Sequence, residues 1–387
     1  EIRTQSAKVL GELRAKEARK PLLAMLNDSE PRVQFFASQA LVKLPSIENL
    51  PGLIDLLDKN QNKDVYIRHG CVVALAAIND AKALAGYSKN SSLGIRMGAT
   101  LALRQLESEE ISNFLTDTNQ EIADEAARAI YDIPIAKSLT NLAQTITVGN
   151  TKTTHNLRRV LAANRRIGTN QNALEIAKLA ASPQTPVEIR LEALEYLEKW
   201  GDEAKRDFVT GLARPTQAAN KTDAINALKS NLPALLGAET KISKETIRVA
   251  ASLKINEIIP ELIASLKNNS LDGKFRADSL KALTSLKAPE IKSLAETALL
   301  DSSDLVRAEA IRVYSKLEPT YAENTADAIL KKGSLKEQQA LIGILGESKS
   351  PLSKNKLKSL VQEAISGKTP PGIMLEIGEA GLKAGVE

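Results

Sequence analysis

The chain has 387 residues, of which 43% are apolar and only 3% aromatic, so its core must be built mainly from Leu, Ile, Ala and Val. Its 52 basic and 47 acidic side chains are interspersed, so the net charge of +5 favours solubility over a polyanion partner. No apolar run reaches the roughly eighteen residues that a membrane span needs, and a single globular core would be unusual at this length.

A short helical pattern returns about every thirty residues, with an aliphatic residue, an arginine and then apolar or small residues on one face. Gln34 and Ala123 replace the arginine in two further copies, and Arg158 marks a weak copy. Periods of this size are typical of stacked supersecondary units. The pattern's arginines are Arg3, Arg68, Arg96, Arg190, Arg248, Arg276 and Arg307.

Each unit is predicted to hold two helices. In residues 46–78, Leu50, Leu53 and Leu57 follow helical spacing, and a second apolar helix follows a polar turn. Similar turns rich in Asn, Asp and Ser supply helix starts, and Pro31 suits a first helical turn. Alternating strand patterns are absent, so the sequence predicts an all-α fold, an α-solenoid of about eleven helical pairs.

The spacing also predicts the domain organisation. A step of 58 residues separates Arg190 from Arg248, about twice the usual period, so we expect an irregular, degenerate unit near 201–221 between repeats at 1–200 and 222–387. The chain opens directly on a repeat helix, whereas terminal units of a solenoid usually carry a polar outer face. We therefore expect it to be a piece of a longer polypeptide.

Signatures of enzymes are sparse. His69, His155 and Cys71 lack metal-ligand spacing, and neither a phosphate-binding loop nor a nucleophile elbow occurs. Cys71 stands among apolar neighbours and fits a buried hydrophobe, with a reactive thiol as the alternative. We therefore expect no catalytic, metal or cofactor site in this chain.

The period, the two-helix unit and the repeated frame around the arginine resemble HEAT repeats and their short bacterial relatives. This resemblance covers nearly the whole chain. It implies that the repeat arginines form a structural ladder, each bonding an acidic or carbonyl group of a neighbouring unit, with a positive groove that binds a ligand as the alternative.

A narrower resemblance connects the chain to large, mostly exported bacterial proteins, in which HEAT-like repeats lie between a sugar-dehydrogenase-like β-propeller and a c-type haem module with a CxxCH site. Cys71 is the only cysteine, so any covalent haem would belong to the parent protein, and Ala213 stands where the resemblance predicts a tryptophan. The periplasm or cell envelope is the location that this resemblance implies, with the cytoplasm as the alternative. The similar segments are 122–135, 157–169, 188–200, 206–215 and 366–381.

Protein binding is the function that a long helical-repeat surface favours. The expected partners are protein domains of the same or another chain, with a free-standing scaffold as the alternative to the linker between a propeller and a haem module. A third alternative, nucleic-acid binding, rests on a cluster of arginines but lacks an aromatic stacking surface. Trp200 is expected in core or cap packing, with a binding hot spot as the alternative, and one ring of Phe35 and Phe36 should face a groove or a neighbouring module. The predicted partner contacts are Arg158, Arg159, Arg165, Arg166, Phe208 and Arg214.

Overall fold

A computed structural model describes residues 1–147 and 153–386. These residues form α-helices and short 3-10 helices without any strand, and Ala204 and Thr216 make one isolated antiparallel bridge. The all-α prediction is confirmed. The chain divides into two compact units, Glu1–Ala238 and Glu239–Glu387.

The first unit contains helices α1 to α13. A 3-10 helix at Glu109–Phe114 takes the place of a first helix between α7 and α8. The α-helices are α1 Ile2–Glu12, α2 Arg19–Met25, α3 Pro31–Val42, α4 Leu50–Asn60, α5 Val65–Ile78, α6 Ala81–Ala85, α7 Leu93–Gln105, α8 Gln120–Asp132, α9 Leu139–Gln144, α10 Thr154–Ile167, α11 Asn170–Ala181, α12 Val187–Glu198 and α13 Lys221–Leu236.

The pair α4 and α5 shows how the sequence specifies a repeat. Leu53 and Leu57 are buried on one face of α4, and the helix stops at Gln61, which adopts the left-handed conformation with φ of 44°. The Asp64 carboxylate then accepts hydrogen bonds from the N–H groups of Tyr66 and Ile67, which satisfies two donors at the start of α5. The apolar face of α4, the end of that helix at Gln61 and the Asp64 cap of α5 therefore all agree with the predicted helix pair.

Successive second helices, the ones that carry the arginine position, pack directly against each other: α1 contacts α3, and α3 contacts α5. Gly70 on α5 permits the close approach, because a Cβ atom there would lie 2.1 Å from Ser38 Oγ. Small residues thus bring adjacent repeats together where aliphatic side chains would hold them apart.

The second unit continues the alternation of first and second helices. An aliphatic core joins its last helices, with Leu341, Leu345, Leu357 and Ile377 all buried in it. None of the helices in the described part of the chain is long and apolar enough to cross a membrane. The helices of this unit are α14 Thr240–Ser252, α15 Ile259–Lys267, α16 Gly273–Ser285, α17 Ile291–Ala298, α18 Asp304–Leu317, α19 Tyr321–Lys332, α20 Leu335–Glu347, α21 Pro351–Ile365 and α22 Met374–Ala384.

The long step between Arg190 and Arg248 has a visible cause. After α12 the backbone is non-helical through residue 220, and the regular helix α13 follows before α14. The extra length is therefore an irregular segment inserted between helices. We call residues 201–220 the clasp, because side chains from earlier helices hold it.

Candidate protein-docking site

Four of the repeat arginines make contacts between neighbouring units. Arg3 pairs with Asp28 at 2.7 Å, Arg96 with Asp117 at 2.8 Å, and Arg307 with Glu337 at 2.9 Å. Arg276 pairs in the same way with Asp301 and is only 3% exposed. Each of these carboxylates lies further along the chain, so the arginine bonds one repeat to the next.

In three repeats the side chain at this position also bonds the loop before its own second helix. Arg96 Nη1 donates to the Asn90 carbonyl and Arg307 Nη1 to the Asp301 carbonyl, both at 2.8 Å. Gln34, which replaces an arginine, donates to the carbonyl of Asp28 at the same distance. The glutamine thus keeps the loop bond, six residues back along the chain in each case.

The remaining repeat arginines bond differently. Arg68 donates to the Asn62 side chain, buried Arg190 donates to the Ala180 carbonyl at 2.7 Å, and Arg248 pairs with Glu245 on its own helix at 2.7 Å. Position in the repeat therefore does not by itself decide whether the partner lies in the next unit.

Asp207 organises the tip of the clasp. One carboxylate oxygen accepts the N–H groups of Val209 at 2.9 Å and Thr210 at 2.8 Å, which closes a tight turn. Below the tip, Ala204 and Thr216 exchange backbone hydrogen bonds of 3.0 and 2.8 Å. The segment is therefore ordered by its own hydrogen bonds.

The other Asp207 oxygen anchors the clasp to the helices. It accepts a hydrogen bond from the Tyr131 hydroxyl at 2.5 Å and pairs with Arg166 at 2.9 Å. Burial raises the pKa of the Asp207 carboxyl, but the hydrogen bonds from Tyr131, Thr210 and Val209 outweigh it and lower the pKa to about 2. Burial, together with the bond to Asp207, raises the pKa of Tyr131. This group is thus a buried carboxylate that stays ionised.

Arg165 and Arg166 hold the clasp backbone. Arg165 is 2% exposed, and its guanidinium donates to the carbonyls of Gln217 at 3.1 Å and Asp202 at 2.6 Å. Arg166 donates to the carbonyls of Pro215 and Arg214, both at 3.2 Å. A guanidinium carries five N–H donors, so it can satisfy several carbonyls of a non-helical segment at once. Both arginines therefore point into the protein and face the clasp.

Two arginines of this site make cation–π contacts with aromatic rings. The Arg165 guanidinium carbon lies 5.3 Å from the centroid of the Trp200 ring, and that of Arg214 lies 5.4 Å from the Tyr131 ring. Arg214 also donates to the Tyr131 carbonyl at 2.9 Å. Trp200 is fully buried, which confirms its predicted place in the core.

Arg158 and Arg159 point to different partners. Arg158 makes a two-pronged contact with Glu192 on α12, with bonds of 2.7 to 3.0 Å, and Arg159 pairs with Asp132 on α8 at 2.8 Å. Arg158 remains partly exposed at the surface, whereas Arg159 is more enclosed. All the predicted basic contacts in this cluster therefore have partners within the chain.

A groove of about 350 Å³ lies beside the clasp, and we call it the clasp groove. Phe208 is 46% exposed there, and its ring centroid lies 5.0 Å from that of Tyr196. Lys199 Nζ lies 6.0 Å from the Phe208 centroid. Arg158, Glu192 and Glu195 complete a lining of mixed charge. The groove is the place where predicted contact residues, Phe208 and Arg158, reach solvent together.

The structure brings together the four central segments of the narrower resemblance. Tyr131 comes from 122–135, Arg166 from 157–169, Trp200 from 188–200 and Asp207 from 206–215. Sequence reasoning selected the arginines but missed Tyr131 and Asp207. The sequence did contain one indication of this contact: Asp207 is an acidic residue in the irregular segment that follows the pair Arg165 and Arg166.

Other chemistry-bearing residues lie away from the groove. Cys71 is buried, and burial raises the pKa of its thiol to about 12, which fits the predicted hydrophobe. Within residues 1–147 and 153–386, no group of three or more His, Cys, Asp or Glu side chains is placed to hold a metal ion.

Comparison with known proteins supports the fold. Residues 1–76 match the family model of HEAT repeats, and no curated protein matches the sequence. The crystal structure of Kap121p bound to Ste12p is similar over 97% of this chain, with 12% identity and a TM-score of 0.51, and the chain spans 46% of that protein. A homology model of the full-length AP-3 complex in an intermediate open conformation matches 98% of this chain and 85% of its own, at 13% identity, but its TM-score of 0.30 is too low to indicate a shared fold. The chain is an all-α solenoid similar to Kap121p in fold, with HEAT repeats at residues 1–76.

Proposed function

We propose that this chain is a non-catalytic helical-repeat scaffold that docks a protein domain at the clasp groove. The observation that carries the proposal is the position of Phe208, a half-exposed ring on a segment that a buried ionic network holds in place. Aromatic residues and arginines are enriched where proteins bind each other. A rigid base under an exposed ring reduces the ordering cost of binding.

The charge of the clasp groove favours a protein partner over a polyanion. Arg158 and Lys199 lie beside Glu192 and Glu195, so the lining carries both signs. Nucleic-acid binding would need arginines free to neutralise phosphates. Here Arg159 and Arg166 are paired with Asp132 and Asp207, so a phosphate would have to displace carboxylates.

The more specific form of this proposal is a linker that holds a sugar-dehydrogenase-like propeller and a c-type haem module in an exported bacterial protein. Its support is the sequence resemblance, together with the convergence of four resembling segments at the clasp. A haem would be bound by the parent protein outside this chain. A free-standing scaffold in the cytoplasm is the competing form.

Hydrogen exchange on the natural polypeptide that contains this chain tests docking within one molecule. We expect residues 192–210 to exchange more slowly there than in the isolated chain, and Phe208→Ala to remove the difference. Leu352→Ala, at another exposed apolar side chain, is the matched control and should leave the difference intact. Equal exchange in the two proteins would refute docking within one molecule. Photo-crosslinking from position 208 in the cells that produce the protein would then test for a separate partner.

A reduced-minus-oxidised absorption spectrum tests the linker form. We expect a c-type haem signal in the natural polypeptide and none in the isolated chain. Haem absent from both would remove the linker proposal and leave the free-standing scaffold.

A further inference from the structure

A second groove, which we call the aromatic groove, lies between α1 and α3. It encloses about 230 Å³ and is lined by Lys8 and Glu12 on α1, with Phe35, Phe36, Gln39 and Lys43 opposite. A cavity of about 150 Å³ holds a benzene ring. The aromatic groove therefore has room for one aromatic or large aliphatic side chain.

Aromatic rings are concentrated at this surface. The ring centroids of Phe35 and Phe36 are 5.3 Å apart at an interplanar angle of 81°, and Phe35 lies 6.4 Å from Tyr66, which is 71% exposed. The sequence predicts that one phenylalanine faces a groove or a neighbouring module, whereas both line this groove. In a chain with 3% aromatic residues, two partly buried rings on α3 beside the exposed Tyr66 ring on α5 form a cluster of the kind that marks a binding surface.

Gln39 lines the aromatic groove and carries an unpaired donor. Its Nε2 atom is buried, and no acceptor for it exists among the described residues. A buried donor without an acceptor costs free energy, which a ligand oxygen would recover once the Gln39 amide turns into the groove. The carbonyls of an extended segment are free to accept this bond, whereas most helix carbonyls are already bonded within the helix.

The rim of the aromatic groove has a small excess of positive charge, since two lysines line it together with Glu12. Lys8 and Lys43 line it, and Arg32 lies with its guanidinium carbon 6.0 Å from the Phe36 centroid. Lys8 is 4.0 Å from Glu12 and Arg32 is 3.3 Å from Glu1, but all four side chains are more than half exposed. Such pairs are weak, so carboxylates of a ligand can compete for these cations.

We propose that the aromatic groove binds an extended, acidic segment of a partner protein. One aromatic or large aliphatic side chain of the segment packs on Phe35 and Phe36, a backbone carbonyl accepts from Gln39 Nε2, and flanking carboxylates meet Lys8 and Lys43. This inference adds a second docking surface to the proposed scaffold function. It is independent of the clasp groove.

Selection of short random peptides on the immobilised full chain tests the proposal. We expect a consensus with one aromatic or large aliphatic residue between acidic residues. Binding of the labelled consensus peptide, followed by fluorescence anisotropy, should weaken about tenfold or more in Phe36→Ala, as for a hot-spot side chain. The double variant Lys8→Glu and Lys43→Glu should also weaken it, whereas Lys349→Glu, an exposed lysine elsewhere, should not.

Further variants separate the two docking surfaces and guard against misfolding. Phe208→Ala should leave the affinity unchanged, and Gln39→Leu should lower it while circular dichroism stays the same. Failure to select any peptide, a consensus without acidic residues, or equal binding to the charge-reversed variant would overturn the proposal. The charge-reversed variant keeps the test valid if Phe36→Ala does not fold, because Lys8 and Lys43 lie at the rim.

Discussion

The regular repeats and the clasp satisfy their backbone hydrogen bonds in different ways. In a helix such as α5, the carbonyls bond within the helix, and side chains add only a cap at Asp64. The clasp has non-helical backbone. The guanidinium groups of Arg165 and Arg166 therefore donate hydrogen bonds to its carbonyls, and the Asp207 carboxylate accepts hydrogen bonds from its N–H groups. An inserted segment in a helical stack therefore depends on a few charged side chains, whereas the stack depends on many small aliphatic contacts.

The largest expected effect comes from removing the anion of the clasp. Asp207→Ala leaves Arg166 and the Tyr131 hydroxyl without their buried partner, which should cost about 3–5 kcal/mol in the clasp region. Hydrogen exchange at 203–216 measures the local loss, and Glu203→Ala, an exposed carboxylate of the same segment, is the control. Equal protection in both variants would show that the network does not hold the clasp.

Acid should weaken both units in the same direction. The pKa of Asp207 is about 2 in the folded chain and about 3.9 when unfolded, so the carboxylate contributes stability above about pH 5 that is lost as the pH falls towards 2, about 2–3 kcal/mol in all. Hydrogen bonds from Arg307 likewise hold the pKa of Glu337 at about 2, in the second unit.

Urea denaturation at pH 6 and pH 2.5 measures this dependence. Asp207→Asn and Glu337→Gln should each reduce the difference between the two midpoints. Midpoints that rise on acidification would contradict the assignment.

A smaller effect is expected where repeats approach closely. Gly70→Ala places a Cβ 2.1 Å from Ser38 Oγ, so either Ser38 turns away and loses its bond to the Phe35 carbonyl or α3 and α5 move apart, at a cost of about 1–3 kcal/mol. Gly343→Ala, at an exposed position of α20, has no heavy atom within 4 Å of the new Cβ and should stabilise by up to about 1 kcal/mol. Thermal unfolding of the two variants compares these effects. Equal changes in melting temperature would show that close packing at Gly70 does not limit stability.

The smallest effect is expected at an exposed member of the arginine ladder. Arg3 is 57% exposed, so Arg3→Ala should cost less than about 1 kcal/mol. Arg276 is 3% exposed and bonds both Asp301 and the Leu266 carbonyl, so Arg276→Ala should cost at least about 2 kcal/mol. Chemical denaturation compares them, and a larger loss at Arg3 would reverse the ranking by burial.

The candidate site shows how far a sequence pattern reaches. Arg165 and Arg166 were predicted as partner contacts because they are close together in a basic run, but their carbonyl partners lie on the clasp. Phe208 was predicted from its place in the irregular segment, and the structure leaves it half exposed. Exposure depends on where the clasp folds back, which no local spacing encodes.

The sequence by itself determined the helices, their period, the aliphatic core and the site of the interruption, because helix faces and caps depend on residues within a few positions of each other. Only the tertiary structure decided the arginine partners and the clasp. Tyr131 meets Asp207 across 76 residues and Arg214 meets Tyr131 across 83, distances along the chain that close only when the helices stack. Contact partners so far apart in the sequence are selected by packing and burial, and the repeat pattern does not predict them.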